Sequence, residues 1–314
     1  MLPASLGAFS LDAPPLFMDL LALPRPLAHA TFALLPVDTR LRCVEVNRAW
    51  RALLADTSLW SYLDLGIDSG CTRFSEALFR AAVAKAGGQL RVLKVIGREV
   101  STPTILDALA SNAASLMLLV ANPTARYTSA EAVLFLEAAP SCVCHLRTYA
   151  ENVEQAHRYL RNEPPYARLR LHGIDVNGEG QLDSLESIEA LCADLIKHPS
   201  LTSISIMYAS LGTAAAMRVV LKAAIELRLH VIGLLNCGCT RSCVPELMRL
   251  VSAGEVKAMV VLNRGVELFE AGADTDQFCA AVRASASLNY LTLNDCGPNP
   301  DVAAVAAFIN ARRQ

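Results

Sequence analysis

The chain has 314 residues, of which 53% are apolar, 18% charged and only 6% aromatic; 28 basic and 30 acidic side chains leave a formal net charge of −2. That balance lacks the basic excess of a nucleic-acid binder, and no uninterrupted run long enough to span a bilayer occurs, so neither nucleic acid nor membrane is expected as a partner. The length suits one small module joined to one elongated domain, with a core built from Leu, Ala, Val and Ile rather than from rings.

Residues 1–20 read as a loose arm, with a short packed segment at Leu16–Leu21. No basic residue precedes Arg25, so the positive region of a secretory signal is missing. Ten cysteines without such a signal, set within apolar or turn segments, fit a reducing compartment, cytoplasm or nucleus. As buried free thiols they behave as small hydrophobes.

Residues 21–65 are the first organised module. Leu23, Leu27, Phe32, Leu35, Leu41, Val44, Trp50, Leu53, Leu54, Leu59, Trp60 and Leu63 recur at helical spacing through segments divided by Pro36 and Asn47. Pro24 and Pro26 can open a first helix, Asp38 or Thr39 can cap a second, and Asn47 can cap a third over 48–55. So short a stretch makes a poor independent core, so a partner or the adjoining domain should cover one face.

From Gly66 the rhythm changes. A helical connector from Ser75 to Ala86 is followed by eight apolar strands alternating with helices. Their central inward residues are Leu93, Leu119, Leu146, Leu169, Ile204, Ile232, Met259 and Leu291, 23 to 35 residues apart. The clearest copies are Leu201-x-x-Ile204-x-Ile206, Leu229-x-x-Ile232-x-Leu234 and Leu288-x-x-Leu291-x-Leu293, with turns at Asn236–Cys237 and Asn294–Asp295–Cys296. The intervening helices start at Thr102–Pro103, Thr128 or Ser129, Asp183 or Ser184, Gly212 or Thr213, Pro245, Asp274 and Asn299–Pro300, each a cap or first-turn proline ahead of an apolar stripe. A Rossmann-like sheet would also alternate strand and helix. Its strands would be apolar on both faces, whereas these carry Lys94, Arg147, Arg168, Arg170, His172, Ser203, Ser205 and Thr292 on one.

Both parts resemble known families. Residues 23–63 are similar to an F-box: Leu23–Pro24 with Leu27, then Phe32, Leu34–Leu35–Pro36, Leu41, Val44, Trp50–Arg51 and the tail Asp56-x-x-Leu59–Trp60-x-x-Leu63. Arg25–Pro26, Thr31 and Asn47–Arg48 depart from the usual pattern. Residues 66–314 resemble a leucine-rich repeat domain of about eight degenerate repeats of the ribonuclease-inhibitor kind, since a period in the twenties with L-x-x-L-x-L is that signature. The resemblance implies an α/β chain, a short helical F-box-like module followed by a leucine-rich repeat solenoid. It implies a substrate-recognition subunit of a cullin–RING ubiquitin ligase, with no catalytic residues, cofactor or metal of its own. Pro24, Leu27, Phe32, Leu35, Leu41 and Val44 would meet the adaptor protein, while Trp50 and Trp60 pack the module. The alternative is a leucine-rich repeat scaffold that binds a protein without a ubiquitin role.

In such a solenoid the residues flanking the inward positions face an open groove, by the two-residue strand period. Lys94, Arg147, Tyr149, Arg168, Arg170 and His172 would make one end basic, suited to an acidic or phosphorylated segment of a target protein. Met207, Leu235, Leu262 and Tyr290 would make the other end apolar. Segments with the residue types of catalysis or metal binding do not complete a site. Cys142–Val143–Cys144–His145 and Cys237-x-Cys239-x3-Cys243 lack a second ligand pair. Asp175, Asn177 and Glu179 do not complete an EF-hand. A hidden α/β enzyme would need His172, Asp175 and Cys192 gathered in one pocket.

Overall fold

The apolar runs that recur through the chain are the strands of one parallel sheet. The computed structural model describes residues 23–122, 125–263, 268–269, 272–294, 296 and 299–312; the expected arm over 1–20 lies outside them. Three helices come first, α1 (Arg25–Leu34), α2 (Val37–Val46) and α3 (Arg48–Leu53). The alternation then runs β1 (Tyr62–Asp64), α4 (Glu76–Ala86), β2 (Val92–Lys94), α5 (Thr102–Ser111), β3 (Leu118–Val120), α6 (Ser129–Ala138), β4 (Val143–Ala150), α7 (Val153–Leu160), β5 (Leu169–Asn177) and α8 (Leu185–Ile196). It continues with β6 (Ser203–Met207), α9 (Ala214–Glu226), β7 (Val231–Leu235), α10 (Val244–Ser252), β8 (Ala258–Leu262), α11 (Ala273–Ala284), β9 (Tyr290–Asn294) and α12 (Pro300–Ala311). The nine strands lie side by side in chain order, all parallel, in a curled sheet that makes a solenoid-like half-barrel. Among the described residues, helices cover one face of the sheet and leave the other open. Among the described residues no helix is long and apolar enough to cross a membrane.

Local chemistry sets the element ends. Asn47 Oδ1 accepts from Trp50 N at 2.8 Å and starts α3. Thr128 and Glu131 form a reciprocal capping box on α6. Ser184, Thr213 and Asn299 cap α8, α9 and α12 through their side chains, satisfying N–H groups a helix start leaves open. The second helix differs from expectation. It begins at Val37, and Asp38 lies inside its first turn. The Asp38 carboxylate is buried and reaches across to Thr72 N and Oγ1 at 3.2 Å and Arg73 N at 3.3 Å. Arg40 is also buried, 5.1 Å over the Trp60 ring, and donates to Leu59 O. Trp60 is buried and its Nε1 donates to Leu54 O at 2.8 Å. Helix α2 is thus pinned to the chain that enters the sheet, and one apolar core runs from Phe32 to Ile309. The sheet also starts earlier than the sequence suggests: Leu63, at the end of the front stretch, pairs with Leu93.

The register departs from expectation at β4 and β5. The inward line runs Leu63, Leu93, Leu119, Cys144 and Leu169, so Leu146 is not the partner of Leu119; it pairs with Leu171. Past an irregularity after Leu146, Thr148 pairs with Ile174, and the line continues through Ile204, Ile232, Met259 and Leu291. The extra residue opposite this step is His172. A bulge of one residue reverses which side chains face inward, so Leu169, Leu171, Ile174 and Val176 are all buried within one strand. The curl crowds the open face, which explains two glycines there. A Cβ at Gly173 would lie 2.0 Å from Ser203 Oγ, and one at Gly233 2.7 Å from Ser205 Oγ.

Candidate functional site

Two surfaces collect the residues singled out by the sequence. On the front module, Pro24 is exposed, Leu27 is 57% exposed, and Leu35, Leu41 and Val44 are half-buried against the core. Phe32 is a correction. It is fully buried, edge-on to Trp50 with ring centroids 5.3 Å apart, and offers nothing to a partner. Leu34, 86% exposed, and Val46, 60% exposed, were not among the expected contacts. The available signal was the seven-residue step from Leu27 to Leu34, which puts both on the face of α1 opposite Ala28 and Phe32.

The open face of the sheet holds the second surface. At its centre Asp175 is fully buried between two guanidiniums. Arg147 Nη2 donates to Oδ1 at 2.7 Å and Nε to Oδ2 at 3.2 Å, while Arg126 Nε reaches Oδ2 at 2.9 Å. Arg147 also donates to Ser205 Oγ at 3.3 Å. One carboxylate between two arginines leaves a net positive charge, carried outward by the half-exposed Arg126. A guanidinium so placed can pair with a carboxylate or phosphate. Arg126 comes from the loop ahead of α6, where no strand period marks it. A polar hollow of about 590 Å³ adjoins it, lined in part by Glu76, Glu99, Asn122, Tyr127 and Glu131. Thr102 Oγ1 donates to Glu131 at 2.6 Å and Ser101 N to Glu76 at 2.7 Å, so these carboxylates also hold the loops in place.

The other basic positions divide. Lys94 is half-buried on the open face, 5.2 Å from the Tyr62 ring and 4.0 Å from Asp64. Tyr149 is half-buried opposite Asp175. Arg168 is a correction: its guanidinium donates to Leu136 O, Ala139 O and Cys142 O at the end of α6, so it closes a helix terminus and is not a groove residue. Arg170 is exposed but turns back on its own loop, donating to Asn162 Oδ1 and Leu169 O. His172 occupies the bulge with its ring 5.1 Å from His145. Burial lowers both imidazole pKa values, and the nearby His172 and Arg170 also act to lower that of His145.

Met207, Leu235 and Leu262 form one half-buried row across β6, β7 and β8. Tyr290 lies four positions back along its strand, beside Ala258, and is not part of that row. His172, Asp175 and Cys192 do not gather. Asp175 faces the open side, whereas Cys192 is buried in the helix layer, where desolvation pushes its thiol up to about 12. All ten cysteines are free and buried. Cys237 and Cys296 hold the expected turns by donating to Ile206 O and Asn294 O, both at 3.2 Å. Among the described residues no three His, Cys, Asp or Glu side chains converge as a metal site. No protein-family model matches the chain, and no curated protein does.

Proposed function

We propose that the chain is a non-catalytic receptor: the F-box-like front module docks on the helical adaptor of a cullin–RING ubiquitin ligase, and the leucine-rich repeat sheet holds a target protein on its open face. The observation that carries this reading is the apolar surface left on the front helices. Leu27, Leu34 and Val46 lie in water although Phe32, Leu54 and Trp60 of the same module are fully buried. Covering each such side chain is worth roughly 1.5–3 kcal/mol. A rigid curved sheet presenting Arg126, Lys94 and the Met207 row suits a target with acidic and aliphatic groups, at little further ordering cost.

Calorimetric titration of the intact chain with purified adaptor tests the reading. Wild type binds with one-to-one stoichiometry. Leu34→Glu/Val46→Glu weakens binding by about a hundredfold or more, from the transfer energies of two apolar anchors, without changing the thermal midpoint. No heat of binding at micromolar adaptor, with the chain folded, would turn the reading to the protein-binding scaffold without a ubiquitin role. The burial of Phe32 favours that second reading, because it removes one expected adaptor contact.

A further inference from the structure

Strand parity would send Tyr208 and Asn236 into the core, since Ile204, Ile206, Ile232 and Leu234 before them are buried. Instead both have positive φ, 56° and 55°. Tyr208 is 49% exposed, and a bulky residue in this region of backbone space is uncommon. Lateral bonds hold both residues there: Tyr208 N donates to Leu235 O at 2.9 Å, and Asn236 N to Leu262 O. The two side chains therefore stand on adjacent strands at one register, just beyond the row Met207, Leu235, Leu262.

Between them opens a hollow of about 380 Å³, lined also by Ala209, Ser210, Gly212 and Gly238. Asn236 Oδ1 is shielded from solvent and makes no hydrogen bond among the described residues. An unsatisfied buried acceptor costs roughly 1–3 kcal/mol. Among the described residues no side-chain bond fixes the carboxamide in one orientation, so a half-turn about its Cβ–Cγ bond exchanges the shielded oxygen and the amide nitrogen. A backbone peptide unit offers the matching donor and acceptor.

We propose that Tyr208 and Asn236 form a subsite for one peptide unit of the bound target, next to an aliphatic side chain seated on Met207, Leu235 and Leu262. The Asn236 carboxamide hydrogen-bonds the peptide unit and the Tyr208 ring flanks it. This deepens the reading of the open face as the target-binding surface and rests on it.

The test uses the intact chain and two small probes, N-acetyl-leucine N′-methylamide and N-acetyl-leucine methyl ester, which differ by one N–H donor. Titrations are followed in the nitrogen-15 spectrum through the Asn236 side-chain amide resonance and, in every variant, through the backbone amide resonances of Leu235 and Ala209. The amide probe shifts that resonance and binds about fivefold more tightly than the ester, the worth of one hydrogen bond. Asn236→Gly, which keeps the positive φ without strain, loses the difference between probes while the remaining spectrum stays folded. Tyr208→Asn, also tolerated at positive φ, weakens both probes. Equal affinity of the two probes, an unmoved Asn236 resonance, or full retention of the difference in Asn236→Gly overturns the proposal. Adaptor titration of the same preparations reads the receptor function separately: probe binding without adaptor binding contradicts that function and leaves the subsite supported.

Discussion

Asp194 shows how single side chains tie adjacent helices on the covered face. It is buried in α8 and pairs with His157 Nδ1 at 2.7 Å, Arg161 Nε at 2.8 Å and Lys197 Nζ at 2.8 Å. Burial alone would raise its pKa, but hydrogen bonds from Lys197, His157 and Arg161 prevail and hold it at about 2, below the ordinary 3.8. The folded pKa is depressed, so the stabilisation is fully present above the unfolded value and is lost as pH falls through about 2. Asp194→Asn should therefore lower stability at neutral pH by about 2 kcal/mol and by much less in strong acid. Urea unfolding of both chains at neutral pH and near pH 2 checks this; an equal loss at both would deny the ion cluster its role. Asp175 is the counterpart on the open face, where the same logic of one buried carboxylate serves to orient Arg126 and Arg147.

At the scale of elements, the last strand poses the sharpest problem. β9 ends the sheet, and an unpaired edge invites another chain. Asn310 on α12 covers it: Oδ1 accepts from Leu291 N and Nδ2 donates to Leu291 O, both at 2.9 Å. Asn310→Ala should free both groups and raise self-association, visible as a larger mass by light scattering at high concentration; a monomer indistinguishable from wild type would rule out the edge-guarding role. Most strands and helices were legible because inward apolar residues recur with a period in the twenties and most helices open with a capping side chain or a first-turn proline. The strand at Tyr62–Asp64 and helix α7 were not, and α11 opens at Gly272 with neither signal. The register of β4 and β5 was not legible either, because one bulged residue at His172 reverses parity and leaves composition unchanged. Phe32 and Leu34 show a second limit. Helical spacing marks an apolar stripe, but which members reach water depends on what packs over them. Arg126 was out of reach for a third reason, since only the curl of the sheet brings its loop to Asp175.

For the whole molecule, parallel strands with returning helices gather every helix N-terminus of the repeats on one rim and every C-terminus on the other. First-turn carboxylates, among them Glu76, Glu131, Glu154, Glu186 and Asp301, sit on the first rim, and last-turn Lys85, Arg158, Arg249 and Arg283 on the second. Each favours its helix dipole. The front module stands at one end of this frame, so a partner on α1 and α2 and a target on the open face would occupy separate surfaces. Hydrogen–deuterium exchange of the intact chain, with and without saturating purified adaptor, tests that arrangement most directly. The account predicts slowed exchange in peptides covering 24–46 and unchanged exchange across β6, β7 and β8. Unchanged exchange over 24–46, or protection confined to the open face of the sheet, would contradict it.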